Sequence, residues 1–108
     1  MAALVEFPEL RRLVDLLRAG WQFLPVSSGG ELVEVRGVRV WPDETVDAIT
    51  VRFTTDASGL RRDPHDGVRW ERAGDLDDVV DGLLTLPVPS DPAAPRLVLR
   101  TSARLWTP

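Results

Sequence analysis

The stretch ELVEVRGVRVWPDETVDAITVRFT, Glu31–Thr54, decides the fold. Its second half carries Ile49, Val51 and Phe53 in alternation with Thr50, Arg52 and Thr54, the period of a strand with one face buried and one solvated. In its first half, Val33 and Val35 share one parity and Val38 and Val40 the other. Side chains in a strand change face at every residue, so the slip predicts a bulge at Arg36-Gly37. A hairpin turn at that point is the weaker expectation, because Arg-Gly lacks the Asn or Asp such turns prefer. Between the halves, Pro42-Asp43-Glu44-Thr45 is turn chemistry. The segment therefore reads as two antiparallel strands.

Working outward, Trp21–Val26 reads as a further strand that ends at Ser27-Ser28-Gly29-Gly30, where the glycines permit the positive φ of a tight turn. Before it, residues 8–19 read as a helix. Leu10, Leu13, Val14 and Leu17 fall on one face, Leu16 lies outside that stripe, and Gly20 supplies a left-handed stop with Trp21 folding back on Leu16. Towards the carboxyl end, a polar segment runs from Thr54 to Asp66-Gly67, and Val68, Trp70 and Arg72 alternate in a fourth strand. Asp75 then suits the N-cap of a second helix with Leu76, Val79, Val80, Leu83 and Leu84 at helical spacing. The four prolines of PVPSDPAAP, residues 87–95, predict an extended crossover, and residues 97–106 alternate as a last, long strand. The order α-β-β-β-β-α-β predicts a single α+β domain spanning residues 1–108, an antiparallel sheet of about five strands with both helices on one face.

Composition excludes more than it assigns. The chain has no lysine, tyrosine, cysteine or asparagine and a single histidine, His65. Without cysteine there is no disulfide framework or thiolate metal site, and nothing argues for an oxidising compartment. All 13 basic residues are arginine, in keeping with the coding bias of a high-GC bacterial genome. The net charge of −4 is spread evenly along the chain, so no basic footprint for nucleic acid is present. The absence of a long apolar run or leader-like amino terminus predicts a cytoplasmic protein with no membrane partner.

Chemistry has few places to reside. Asp63-Pro64-His65-Asp66-Gly67 puts an imidazole between two carboxylates, an arrangement that could ligate a metal, although it is also ordinary turn sequence. His65 is the only base available to any serine, and no G-x-S-x-G elbow occurs. The Ser27–Gly30 run has no lysine to serve a phosphate, so no cofactor is expected. Glu31, Glu34, Asp43, Glu44 and Asp47 could supply a pair of carboxylates from neighbouring strands, which is also routine for a solvated surface.

The tryptophans and arginines are the stronger lead. If Val38 and Val40 face the helices, then Arg39 and Trp41 point from the open side of the sheet, together with Arg52, Arg100, Arg104 and Trp106. Tryptophan and arginine are enriched at interface hot spots. The expectation is a non-enzymatic interaction protein that forms a homodimer, or holds another protein partner, through the open face or an edge of its sheet. The alternatives are an acidic inhibitor or immunity-type protein, and a small metal-dependent hydrolase centred on His65.

Overall fold

The structure, a computed structural model, describes residues 11–101. Helix α1 (Arg12–Arg18) is followed by strands β1 (Gln22–Ser28), β2 (Glu31–Val40), β3 (Val46–Phe53), β4 (Asp56–Arg62) and β5 (Gly67–Gly74), helix α2 (Leu76–Thr85) and a two-residue strand β6 (Arg100–Thr101). The six strands form one antiparallel sheet in chain order, β1-β2-β3-β4-β5-β6. The α+β class is as expected, with six strands in place of about five.

The additional strand is β4, in the segment read as polar connection. Its helix-facing positions are Ala57, Gly59 and Arg61, whose cross-strand partners Val51, Ile49 and Asp47 are buried. None of the three shows as an apolar alternation. Small residues are needed here because α2 lies directly above: a Cβ on Gly59 would stand 3.0 Å from Val79 and 3.1 Å from Leu83. The strand is hidden from sequence by the close approach that makes it part of the core.

Strand β2 corrects a second expectation. It pairs with β3 without any register shift from Val35↔Val51 to Val40↔Val46, so there is no bulge at Arg36-Gly37. Gly37 itself occupies a core-facing position, and the Phe23 ring from β1 fills the space its missing side chain leaves. With the strand regular, Val35 faces the helices, while Val38 and Val40 face away, 39% and 65% exposed. The face assignment made from their parity is reversed.

The β1–β2 connection is a two-residue turn in which Gly29 and Gly30 both adopt positive φ, as their sequence predicts. Pro25 lies on β1, the strand at one edge of the sheet. At the end of α1, Gly20 has φ +101°, its N–H donates to the Leu17 carbonyl, and the Trp21 N–H donates to the Leu16 carbonyl. These two bonds close the helix as a Schellman motif.

The core between sheet and helices gathers Leu13, Leu16 and Trp21 with Val35, Ile49 and Val51 of the sheet and Leu76, Val79, Val80 and Leu83 of α2. Leu16, placed outside the helical stripe by spacing, is fully buried, whereas Val14 and Leu17 are partly buried. Leu84, counted with the apolar face of α2, is 42% exposed. Asp75 occupies the N-cap position of α2 but makes no side-chain cap bond, and the Leu76 N–H donates instead to the Thr54 carbonyl. Arg12 ties the helices together by reaching Asp81 at 2.6 Å, Asp77 at 3.1 Å and its own neighbour Asp15 at 3.0 Å. These pairs are largely solvated, so their contribution to stability is small.

After α2 the crossover is not extended. Two successive turns, Asp91 N–H to Val88 carbonyl and Ala94 N–H to Asp91 carbonyl, fold it over the end of the sheet. Residues 97–99 are not strand, and Leu97, Val98 and Leu99 are exposed. Only Arg100 and Thr101 pair, with Val68 and Gly67. The remainder of the expected last strand lies outside the described residues. Among the described residues, no helix is long and apolar enough to cross a membrane.

Candidate functional site

Two surfaces carry features beyond a solvated exterior. The first is the sheet face opposite the helices. Cross-strand registers place Leu24 beside Arg36, Val38 beside Ala48, Val40 beside Val46, and Ala48 beside Leu60. Alternation puts all of these on one side. Leu24 and Val40 are each 65% exposed, and a shallow depression of about 100 Å³ lies between Val38, Val46, Ala48, Leu60, Arg36 and Arg62. Charged side chains surround this apolar centre. Glu34 holds Arg36 and lies 3.6 Å from Arg52, Arg100 donates to Glu71 at 2.7 Å, and Arg62 lies 3.7 Å from Asp66.

The second surface is the sheet end where the β2–β3 turn, the β4–β5 turn and the crossover meet. At its base, Arg61 donates through Nε to Asp47 Oδ1 at 2.7 Å and through Nη2 to Asp47 Oδ2 at 2.9 Å. Both side chains are almost fully buried. The Trp41 indole N–H donates to Asp47 Oδ2 at 3.0 Å, and Arg61 Nη1 donates to the Pro87 carbonyl at 2.5 Å. No side-chain nitrogen or oxygen buried among the described residues lacks a partner. The pair thus joins β3, β4, the tryptophan of the turn and the crossover.

Asp63 is the second buried carboxylate. It accepts the Gly67 and His65 N–H groups at 2.8 and 2.9 Å and Arg69 Nε at 3.0 Å. Burial opposes its ionisation, but these donors outweigh burial and hold its pKa below the ordinary value. Asp43, exposed on the β2–β3 turn, is also held low, chiefly by the Thr45 N–H at 3.0 Å and by the Thr45 hydroxyl. A carboxyl with a depressed folded pKa stabilises above its unfolded value and loses that contribution as pH falls through the folded value. The stability gap between the wild type and Asp63→Asn is therefore expected to be widest near neutral pH and to narrow below about pH 4. Urea unfolding at several pH values measures it, and a gap independent of pH would contradict this role for the carboxylate.

The structure separates the residues expected to form one interaction surface. Arg39 and Trp41 are not on the open face: Arg39 pairs across the strands with buried Asp47 and stacks over the Trp41 ring at 4.0 Å, on the helix side and at the sheet end. The cause is the regular path of β2 through Gly37. Arg52 and Arg100 are exposed, each beside a glutamate. Arg104 and Trp106 lie outside the described residues. His65 is exposed in a turn organised by Asp63. Glu34 lies on the open face and Asp47 on the opposite one, so these two carboxylates do not share a site. Among the described residues no three His, Asp or Glu side chains converge as metal ligands. Arg61 escaped the sequence reading, since one arginine of Arg61-Arg62 in a polar run carries no sign of burial. Comparison with known protein families, with characterised proteins and with solved structures finds no significant match.

Proposed function

We propose that the chain is a small interaction protein of the cytoplasm that associates with a second copy of itself through the open face of its sheet. The observation that carries this reading is the apolar centre formed by Leu24, Val38, Val40, Val46, Ala48 and Leu60 on a face that no helix among the described residues covers. Exposed contiguous apolar patches with a polar rim mark association surfaces. Five strands at ~4.8 Å and about seven residues at ~3.3 Å give the face ~550 Å², or ~1,100 Å² over two copies, near the lower bound for a specific interface. The rim suits a two-fold contact: it carries arginine and glutamate already paired within the chain, so a copy meets a nearly neutral border and little repulsion.

The buried carboxylates support binding over catalysis. Asp47 and Asp63 are each neutralised by an arginine and committed to holding turns and strands. Light scattering at micromolar concentration is expected to give twice the chain mass. Ala48→Glu, which puts an unpaired charge at the centre of the face, is expected to weaken self-association by about 100-fold or more while leaving the thermal transition of the monomer in place. A wild-type monomer up to about 100 µM, where the dimerisation free energy would be weaker than about −5.5 kcal/mol, removes the proposal.

A further inference from the structure

The sheet end contains a cleft whose chemistry is not used by the open face. Trp41 and Pro42 form one wall, Val88 and Pro89 the other, with Asp43 and Ser90 completing a volume of about 340 Å³. A smaller polar pocket of about 130 Å³ adjoins it, sharing Asp43 and Pro89. The walls are held by the buried pair beneath them: Asp47 accepts the Trp41 N–H, and Arg61 donates to the Pro87 carbonyl one residue before Val88. A cleft framed on both sides by such anchors is preformed, which lowers the ordering cost of binding.

Charge decides the occupant. In the adjoining pocket Arg61 is neutralised by Asp47 and Arg69 by Asp63, at 2.7 and 3.0 Å. Asp43, the one charged residue lining the cleft, makes no direct ion pair among the described residues; the Thr45 N–H and hydroxyl orient it and, with the more distant Arg61 charge, hold its pKa below the ordinary value. Arg39 and Arg61 already lie over the Trp41 ring, at 4.0 and 5.7 Å, so the indole serves as an apolar wall and Asp43 as the charge contact. An aromatic and proline-lined groove accommodates an extended, proline-bearing chain, and a carboxylate at its margin selects a cation. We infer that this cleft binds an extended peptide segment in which an arginine, flanked by proline, pairs with Asp43.

The test uses the full chain and three probes: a capped proline–arginine–proline tripeptide, the same tripeptide with glutamate in place of arginine, and capped arginine alone. Binding is read from the Trp41 indole and Thr45 amide resonances in two-dimensional NMR titrations. The arginine tripeptide is expected to shift both signals saturably, and the glutamate tripeptide to bind about tenfold more weakly or not at all. Asp43→Asn keeps an acceptor for the Thr45 N–H and removes the charge, and it is expected to weaken the arginine tripeptide about fivefold while the protein remains folded with a cooperative thermal transition. Absence of a saturable shift, equal affinity for the glutamate tripeptide, or an Asp43→Asn variant that binds as well as wild type each overturns the inference. Capped arginine binding as tightly as the tripeptide overturns it in favour of a small-molecule cation site. The cleft lies away from the open face, so this outcome is independent of whether the chain dimerises.

Discussion

Asp47→Ala is expected to destabilise the protein by about 3–5 kcal/mol, read as a lowered urea midpoint at unchanged slope. The variant leaves the Arg61 guanidinium 1% exposed with only the Pro87 carbonyl as acceptor, and it strands the Trp41 N–H as well. The cost arises from the uncompensated charge more than from the value of the pair. Replacing both partners, Asp47→Leu with Arg61→Met, is accordingly expected to recover most of the loss, because well-packed apolar residues substitute for a buried ion pair at little cost. A single variant within about 1 kcal/mol of wild type would show that water reaches the site and that the pair is not sealed.

Leu16→Ala is expected to cost about 3–5 kcal/mol, and Leu84→Ala less than about 1 kcal/mol. Leu16 is fully enclosed where α1 meets α2 and Trp21, so truncation leaves a cavity with packed walls on every side. Leu84 is 42% exposed and leaves no cavity. With the stability of such a domain at roughly 5–15 kcal/mol, Leu16→Ala should remain folded near room temperature but melt well below wild type. Equal melting temperatures for the two variants would place α1 elsewhere than over the core. The contrast is informative because helical spacing ranks these two leucines in the reverse order.

That reversal belongs to a pattern in what could be read from sequence. The turns were legible where glycine left only one option, at Gly20 and at Gly29-Gly30, and both adopt the positive φ their positions require. Strand β3 was legible because Ile49 and Val51 display their burial in their own side chains. Where burial depends on a neighbour, it was not legible. Gly37 is a core position only because Phe23 lies over it, and missing this turned Val38 and Val40 to the wrong face. Likewise Gly59 and Arg61 are core positions only because α2 and Asp47 meet them. The idea of an open sheet face survives in the structure, but its occupants include Val38 and Val40, the two valines expected to face the helices. The sheet-end cleft had no sequence signal at all, since Trp41 and Val88 are brought together by tertiary folding alone.

Pro25 sets a limit on how copies of this chain can add to one another. Having no N–H, it cannot donate to a neighbouring strand, and it sits in the middle of β1 at the edge of the sheet formed by the described residues. A newcomer aligning along β1 would find the ladder interrupted halfway. Growth by repeated strand addition, which leads to fibres, is thereby discouraged. The proposed pairing through the flat of the sheet would instead consume its own surface and stop at two.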